Sequence, residues 1–123
     1  MSEAIRSYRD LIVWQAGIDL AVACYEVTKA FLREELYGMT SQIRRSATSV
    51  SANIAEGHGR DSTGQFIQFL RIAQGSVKEL ETHLLICERV SLLDKDRAAQ
   101  LLAKCDEVGR MFRSLIRTLE SKE

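Results

Sequence analysis

Apolar residues recur along this chain at steps of three and four, in four separate runs. That period is helical. The first run holds Leu11, Trp14, Ile18, Ala21, Tyr25, Thr28 and Leu32. A second stripe, Val13, Gly17, Leu20, Cys24, Val27 and Phe31, lies beside it. Helix one is therefore apolar over a wide arc and predicts more than one packing neighbour. Ser7-x-x-Asp10 offers a cap for its start. Glu34-Glu35-Leu36-Tyr37-Gly38 breaks the pattern and reads as a connection. A second helix is predicted from Thr40 to Gly57, with Ile43, Ala47, Val50 and Ile54 on one face. Small residues surround that face, Ser46, Thr48, Ser49, Ser51 and Ala52 among them. They let a neighbouring backbone come close.

Gly57-His58-Gly59-Arg60-Asp61 is the next break. Ser62-x-x-Gln65 has the pattern of a capping box opening helix three. Its stripe, Phe66, Leu70, Ala73, Val77, Leu80, Leu84 and Cys87, predicts a helix as far as Val90. Asp94 is placed to cap helix four, whose stripe is Ala98, Leu101, Cys105, Val108, Phe112, Leu115 and Leu119. Four amphipathic helices joined by short connections predict an all-α fold, an up-down-up-down antiparallel four-helix bundle. A three-helix domain with a stray terminal helix is the competing arrangement. The 123 residues predict one domain, residues 1–123.

Composition narrows the picture. Proline is absent and glycine is scarce, which suits helices better than an all-β fold. Seventeen basic residues balance seventeen acidic ones, and the two halves of the chain balance as well. Charge-driven nucleic-acid binding normally shows a basic block, and none is present. No segment has the ~18 apolar residues of a membrane helix, and the N-terminus lacks a signal-peptide core. Cys24, Cys87 and Cys105 are widely spaced, with no CxxC pair. They fit core positions in a reduced, cytoplasmic protein.

Candidate chemistry is sparse. His58 lies between two glycines after helix two, near Glu56 and Asp61, with no partner nucleophile in view. His83 and Cys87 are four apart on helix three, a spacing that can hold a metal. Cys105 is the nearest third ligand, but it falls about 11 Å further from the helix three–four turn than Cys87. No phosphate-loop, zinc-protease, EF-hand or di-iron motif occurs. The expectation is a non-enzyme with no metal, no cofactor and no small-molecule substrate.

Two polar features remain. On helix two, Gln42, Arg45, Ser49, Asn53, Glu56 and Arg60 form one line rotated away from the apolar face. It reads either as a solvated face or as a partner surface. On helix four, Arg110, Arg113 and Arg117 share one side. They either meet the C-terminal helix dipole and Asp106 or contact an anion such as RNA. Counting along helices two and three from a turn near Arg60 brings Arg45 within one turn of Glu79, at ~1.5 Å per residue. A partly buried Arg45–Glu79 pair across that seam is therefore expected.

Several segments together carry a family likeness. Leu11-x-Val13-Trp14, Gln42-x-x-Arg45, Asn53-Ile54-Ala55-Glu56-Gly57, Phe69-Leu70-x-Ile72-Ala73-x-Gly75-Ser76 and Glu79-Leu80-x-Thr82 resemble the four-helix bundle family of 23S rRNA intervening-sequence proteins. The match in order and spacing runs from Tyr8 to Leu119. The chain departs from the family at Leu32 and Ser51, where proline is frequent. The resemblance implies a homopentamer, a ring of five bundles around a channel. It also implies a link to RNA, since members can be encoded within insertions in 23S rRNA genes. The accessory variability protein of diversity-generating retroelements is a similar bundle with a strongly basic surface. The neutral charge here argues against that protein's nucleic-acid role. Together the readings predict a homo-oligomeric scaffold or adaptor, with binding of structured RNA as the alternative. Trp14 and Phe31, each part of an apolar stripe, are expected to be buried within the assembly.

Overall fold

The computed structural model describes residues 6–122. Four helices, α1 (Ile12–Thr28), α2 (Ser41–His58), α3 (Thr63–Arg89) and α4 (Lys95–Glu120), account for most of them. Each packs on the next, and α4 returns to α1, so no helix is stray. The contacts fix the directions. Gly17 faces Ser51 while Arg44 reaches Thr28, so α1 and α2 are antiparallel. Gly57 lies on Phe69 while Ser49 meets Ser76, so α2 and α3 are antiparallel too. Arg71 on α3 reaches Glu120 at the far end of α4, which brings α4 back alongside α3. The result is an up-and-down four-helix bundle, and no strand occurs among the described residues.

The core is the set of stripes turned inward. Leu20, Cys24, Ile43, Val50, Ile54, Leu70, Leu80, Leu84, Cys105 and Phe112 are fully buried. On α1 the inner stripe is Val13, Gly17, Leu20 and Cys24; of the other stripe Ala21 and Thr28 are also buried, while Ile18, Tyr25 and, past the end of the helix, Leu32 stay exposed. Trp14 and Phe31 are half-buried in the chain, with Trp14 edge-on to Tyr8 at 5.3 Å. On α4 the expected stripe holds as far as Phe112, and then Ile116 rather than Leu115 is buried. A strict 3.5-residue repeat drifts around a 3.6-residue helix, so the inner face passes to the next position.

Side chains cap the starts of α3 and α4 but not those of α1 and α2. Ser62 accepts the Gln65 N–H at 3.1 Å and Asp94 accepts the Arg97 N–H at 2.8 Å. Ser7 and Asp10 form a capping box, but around the short 3-10 turn Tyr8–Asp10 instead of α1. Helix α1 starts at Ile12, after Leu11 as its N-cap, without a side-chain cap. Helix α2 runs through His58, so that histidine closes the helix instead of lying in the loop. The expected connection at residues 34–38 is itself wound. A 3-10 turn (Arg33–Glu35) leads into a wide π-type turn (Leu36–Thr40) that joins α2. Gly38 interrupts it with φ −106° and ψ −115°.

Candidate functional surfaces

The polar line of α2 is built from short-range pairs. Arg45 donates to the Gln42 Oε1 at 2.6 Å. Asn53 Nδ2 donates to the Ser49 carbonyl at 2.9 Å and to its hydroxyl at 3.0 Å. Arg60 pairs with Glu56 at 2.8 Å and lays its guanidinium over the Phe69 ring at 4.8 Å. The line touches α3 at Arg60, over Phe69, and at its middle, where Ser49 and Ser76 share a hydrogen bond of 2.8 Å.

The expected Arg45–Glu79 pair does not form. The Ser49–Ser76 contact sets Arg45 level with about residue 80, at ~1.5 Å per residue, so height along the helices does not prevent the pair and side-chain direction does. Ser46 is buried, and Arg45, about 100° round the helix, is exposed. Glu79 is also exposed and turns to His83 on its own helix, 3.4 Å away. Hydroxyls and a glycine fill the seam, too close for an arginine to enter. Gly57 is the clearest case: a β-carbon there would stand 2.5 Å from the Phe69 Cβ.

The arginines of α4 divide. Arg110 is held by Asp106 at 2.8 Å. Arg113 and Arg117 join Arg71 and Gln74 of α3 around a depression of ≈ 200 Å³. Glu120 lines it as well, already paired with Arg71 at 2.7 Å. Arg71 was not legible as part of this group, because 42 residues separate it from Arg113 and only the antiparallel packing brings them together.

The histidines and cysteines show no assembled chemistry. His58 stacks edge-on to Phe66 at 5.6 Å. His83 buries its Nδ1 without a partner. Among the described residues no three His, Cys, Asp or Glu side chains gather as a metal site. All three cysteines are free and buried. Burial pushes the Cys24 and Cys105 thiols up to about 12. Burial, and then the nearby Glu35 carboxylate, pushes Cys87 up to about 11. Thiols held protonated at neutral pH are poor nucleophiles. No described helix is long and apolar enough to cross a membrane.

A family model described as the 23S rRNA-intervening sequence protein matches residues 9–114. The chain belongs to this family. A crystal structure from the S23 ribosomal protein family of Bacteroides thetaiotaomicron, a protein of unknown function, has the same fold. It shares 26% identity with a TM-score of 0.77, over 85% of this chain and 98% of that one. No curated protein matches the chain. The 23S rRNA-intervening sequence family, like that neighbour, comes with no stated enzymatic activity.

Proposed function

We propose that this protein is a non-enzymatic, cytoplasmic scaffold or adaptor that assembles with copies of itself. The carrying observation is the apolar surface left on two different helices. On α1, Ile18 and Val22 are exposed one turn apart, Val22 by 56%. On α3, Ile72, Ile86 and Val90 are exposed along one side, Val90 by 60%. Burying such a side chain fully is worth ~1.5–3 kcal/mol, so covering them is a substantial drive to associate. The two stripes lie on the two helices that pack against α2. A contact between unlike patches is heterologous, and repeating it closes a ring when the rotation allows. That supports the homopentamer implied by the family resemblance. Three free, buried cysteines support the reduced compartment.

Static light scattering on the purified protein tests the assembly. The expected result is a mass several times the 13.9 kDa chain. A mass of 13.9 kDa that does not change with concentration would overturn the reading.

A second reading, binding of structured RNA, draws on the depression of α3 and α4. Arg71, Arg113 and Arg117 converge there around a single carboxylate, and guanidinium groups suit phosphate oxygens. Binding that weakens as salt rises is the expected signature. Arg113→Gln combined with Arg117→Gln should then abolish it. RNA affinity untouched by that pair of changes would remove α4 from the reading.

A further inference from the structure

The charge of the chain is balanced, yet one corner of the bundle is not. Where α1 ends and α2 begins, two depressions adjoin, one of ≈ 420 Å³ and one of ≈ 260 Å³. Arg44 lines both. Tyr25, Tyr37 and Arg45 line the larger, and Lys29 and Arg33 the smaller. No aspartate or glutamate lines either one. Of the carboxylates on the neighbouring turns, Glu26 pairs with Lys29 at 3.2 Å, leaving Arg44 and Arg45 without a carboxylate partner, and Glu35 accepts the Met39 N–H at 3.3 Å.

Arg44 is the organised member of the set. Its Nε donates to the Thr28 hydroxyl at 2.9 Å, and that hydroxyl donates on to the Cys24 carbonyl at 2.8 Å. Its guanidinium lies 4.5 Å from the centre of the Tyr25 ring. These contacts aim the side chain while leaving its terminal nitrogens without an acceptor among the described residues. Such a fork suits a phosphate. Tyr37 is the second signal. The π-type turn carries it out of the bundle, and its side chain is 94% exposed. A free ring beside fixed cations is how single-stranded nucleic acids are held, the base on the ring and the backbone on the charge.

We propose that this corner groove binds a nucleotide unit, with the base stacked on Tyr37 and the phosphate held by Arg44 and Arg45. The unit arrives either within a single strand of RNA or as a free nucleotide. The groove lies apart from the arginine depression of α3 and α4, and it does not depend on the assembly proposed above.

Fluorescence anisotropy of the full-chain protein with a short labelled single-stranded RNA, at low salt, tests it. Tyr37→Ala should weaken binding by about tenfold, and Tyr37→Phe, which keeps the ring, should bind within about twofold of the wild type. Because Tyr37 packs against little, its loss should leave the circular dichroism melting curve in place. Arg44→Met should weaken binding as well, and duplex RNA, whose bases are already stacked, should bind worse than the single strand. Lys104→Gln, which removes an exposed charge outside both the groove and the arginine depression, should leave the single-strand affinity unchanged. Competition then separates the sources. Displacement by adenosine monophosphate at the strand's own nucleotide concentration assigns a free nucleotide, and failure to displace assigns the strand. Tyr37→Ala binding like the wild type, or inorganic phosphate competing as well as adenosine monophosphate, would overturn the proposal. So would no binding of either nucleotide form at micromolar protein. RNA binding lost in Arg113→Gln and kept in Tyr37→Ala would move the contact to α4 and end this proposal alone.

Discussion

Helices α1 and α4 stand side by side in the same bundle and solve different problems. Among the described residues α4 leaves no large apolar side chain exposed, while its outer side carries Lys104, Asp106, Glu107, Arg110, Arg113 and Arg117. Its amphipathic pattern is complete within one chain. Helix α1 exposes Ile18 and Val22 one turn apart, Val22 by 56%. Large apolar surface of that kind, in a contiguous stripe, marks an interaction site. In the assembly proposed above, α4 meets water and α1 meets a second copy.

The contrast breaks most visibly under charge. Ile18→Glu should dissociate the assembly into folded single chains, because a glutamate cannot be buried unpaired at a subunit boundary. A glutamate at Lys104, on the outer side of α4, should leave the assembled mass unchanged. Sedimentation velocity of both variants, with circular dichroism to confirm the helices, checks the pair. Dissociation by both would place the interface on α4 as well and erase the contrast.

The inner sides of the two helices differ in the same sense. A β-carbon at Gly17 of α1 would stand 2.6 Å from the Ser51 hydroxyl, which is buried and has no hydrogen-bond partner. Gly17→Ala should cost ~1–3 kcal/mol by overpacking. Ser51→Ala removes both the obstacle and an unsatisfied hydroxyl, so the double variant should recover most of the loss. Urea unfolding of the four proteins measures the cycle, and strictly additive effects would deny the contact.

On α4 the smallest effect is expected, and with the opposite sign. Gly109 has no neighbour closer than the Arg113 Nη1 at 3.7 Å, so an alanine fits. Gly109→Ala should raise stability by ~0.4–1 kcal/mol through a less flexible unfolded chain. A loss of stability in the same unfolding assay would show α4 to be as tightly packed as α1.

Most of the fold was legible, because helical periodicity depends only on local spacing. Leu70, Ala73, Val77, Leu80, Leu84 and Cys87 run along α3 as buried residues where the pattern placed them. The surfaces were less legible, for a physical reason. Which stripe of α1 faces inward depends on where α2 and α4 lie, and both stripes look alike from spacing alone. The Arg45–Glu79 pairing failed on the direction of the two side chains, which turn out of the seam to partners on their own helices, and local spacing does not fix that. The corner groove was hidden because Tyr25 reads as one more apolar position and Tyr37 as a loop residue. Only the return of α2 against the end of α1 sets Arg44 between them. Arg71 was invisible beside Arg113 for the same long-range cause.

The central claim is that the α1 stripe of one copy meets the α3 stripe of the next, and a mixing experiment reaches it most directly. Ile18→Glu spoils the first stripe and Ile86→Glu the second. Each variant alone should scatter light as a single 13.9 kDa chain. Mixed in equal amounts, the intact α3 stripe of one and the intact α1 stripe of the other still match, so the mass should rise to twice the 13.9 kDa of the chain and stop there. A mixture that remains at 13.9 kDa, or a variant that forms dimers by itself, would contradict the head-to-tail contact.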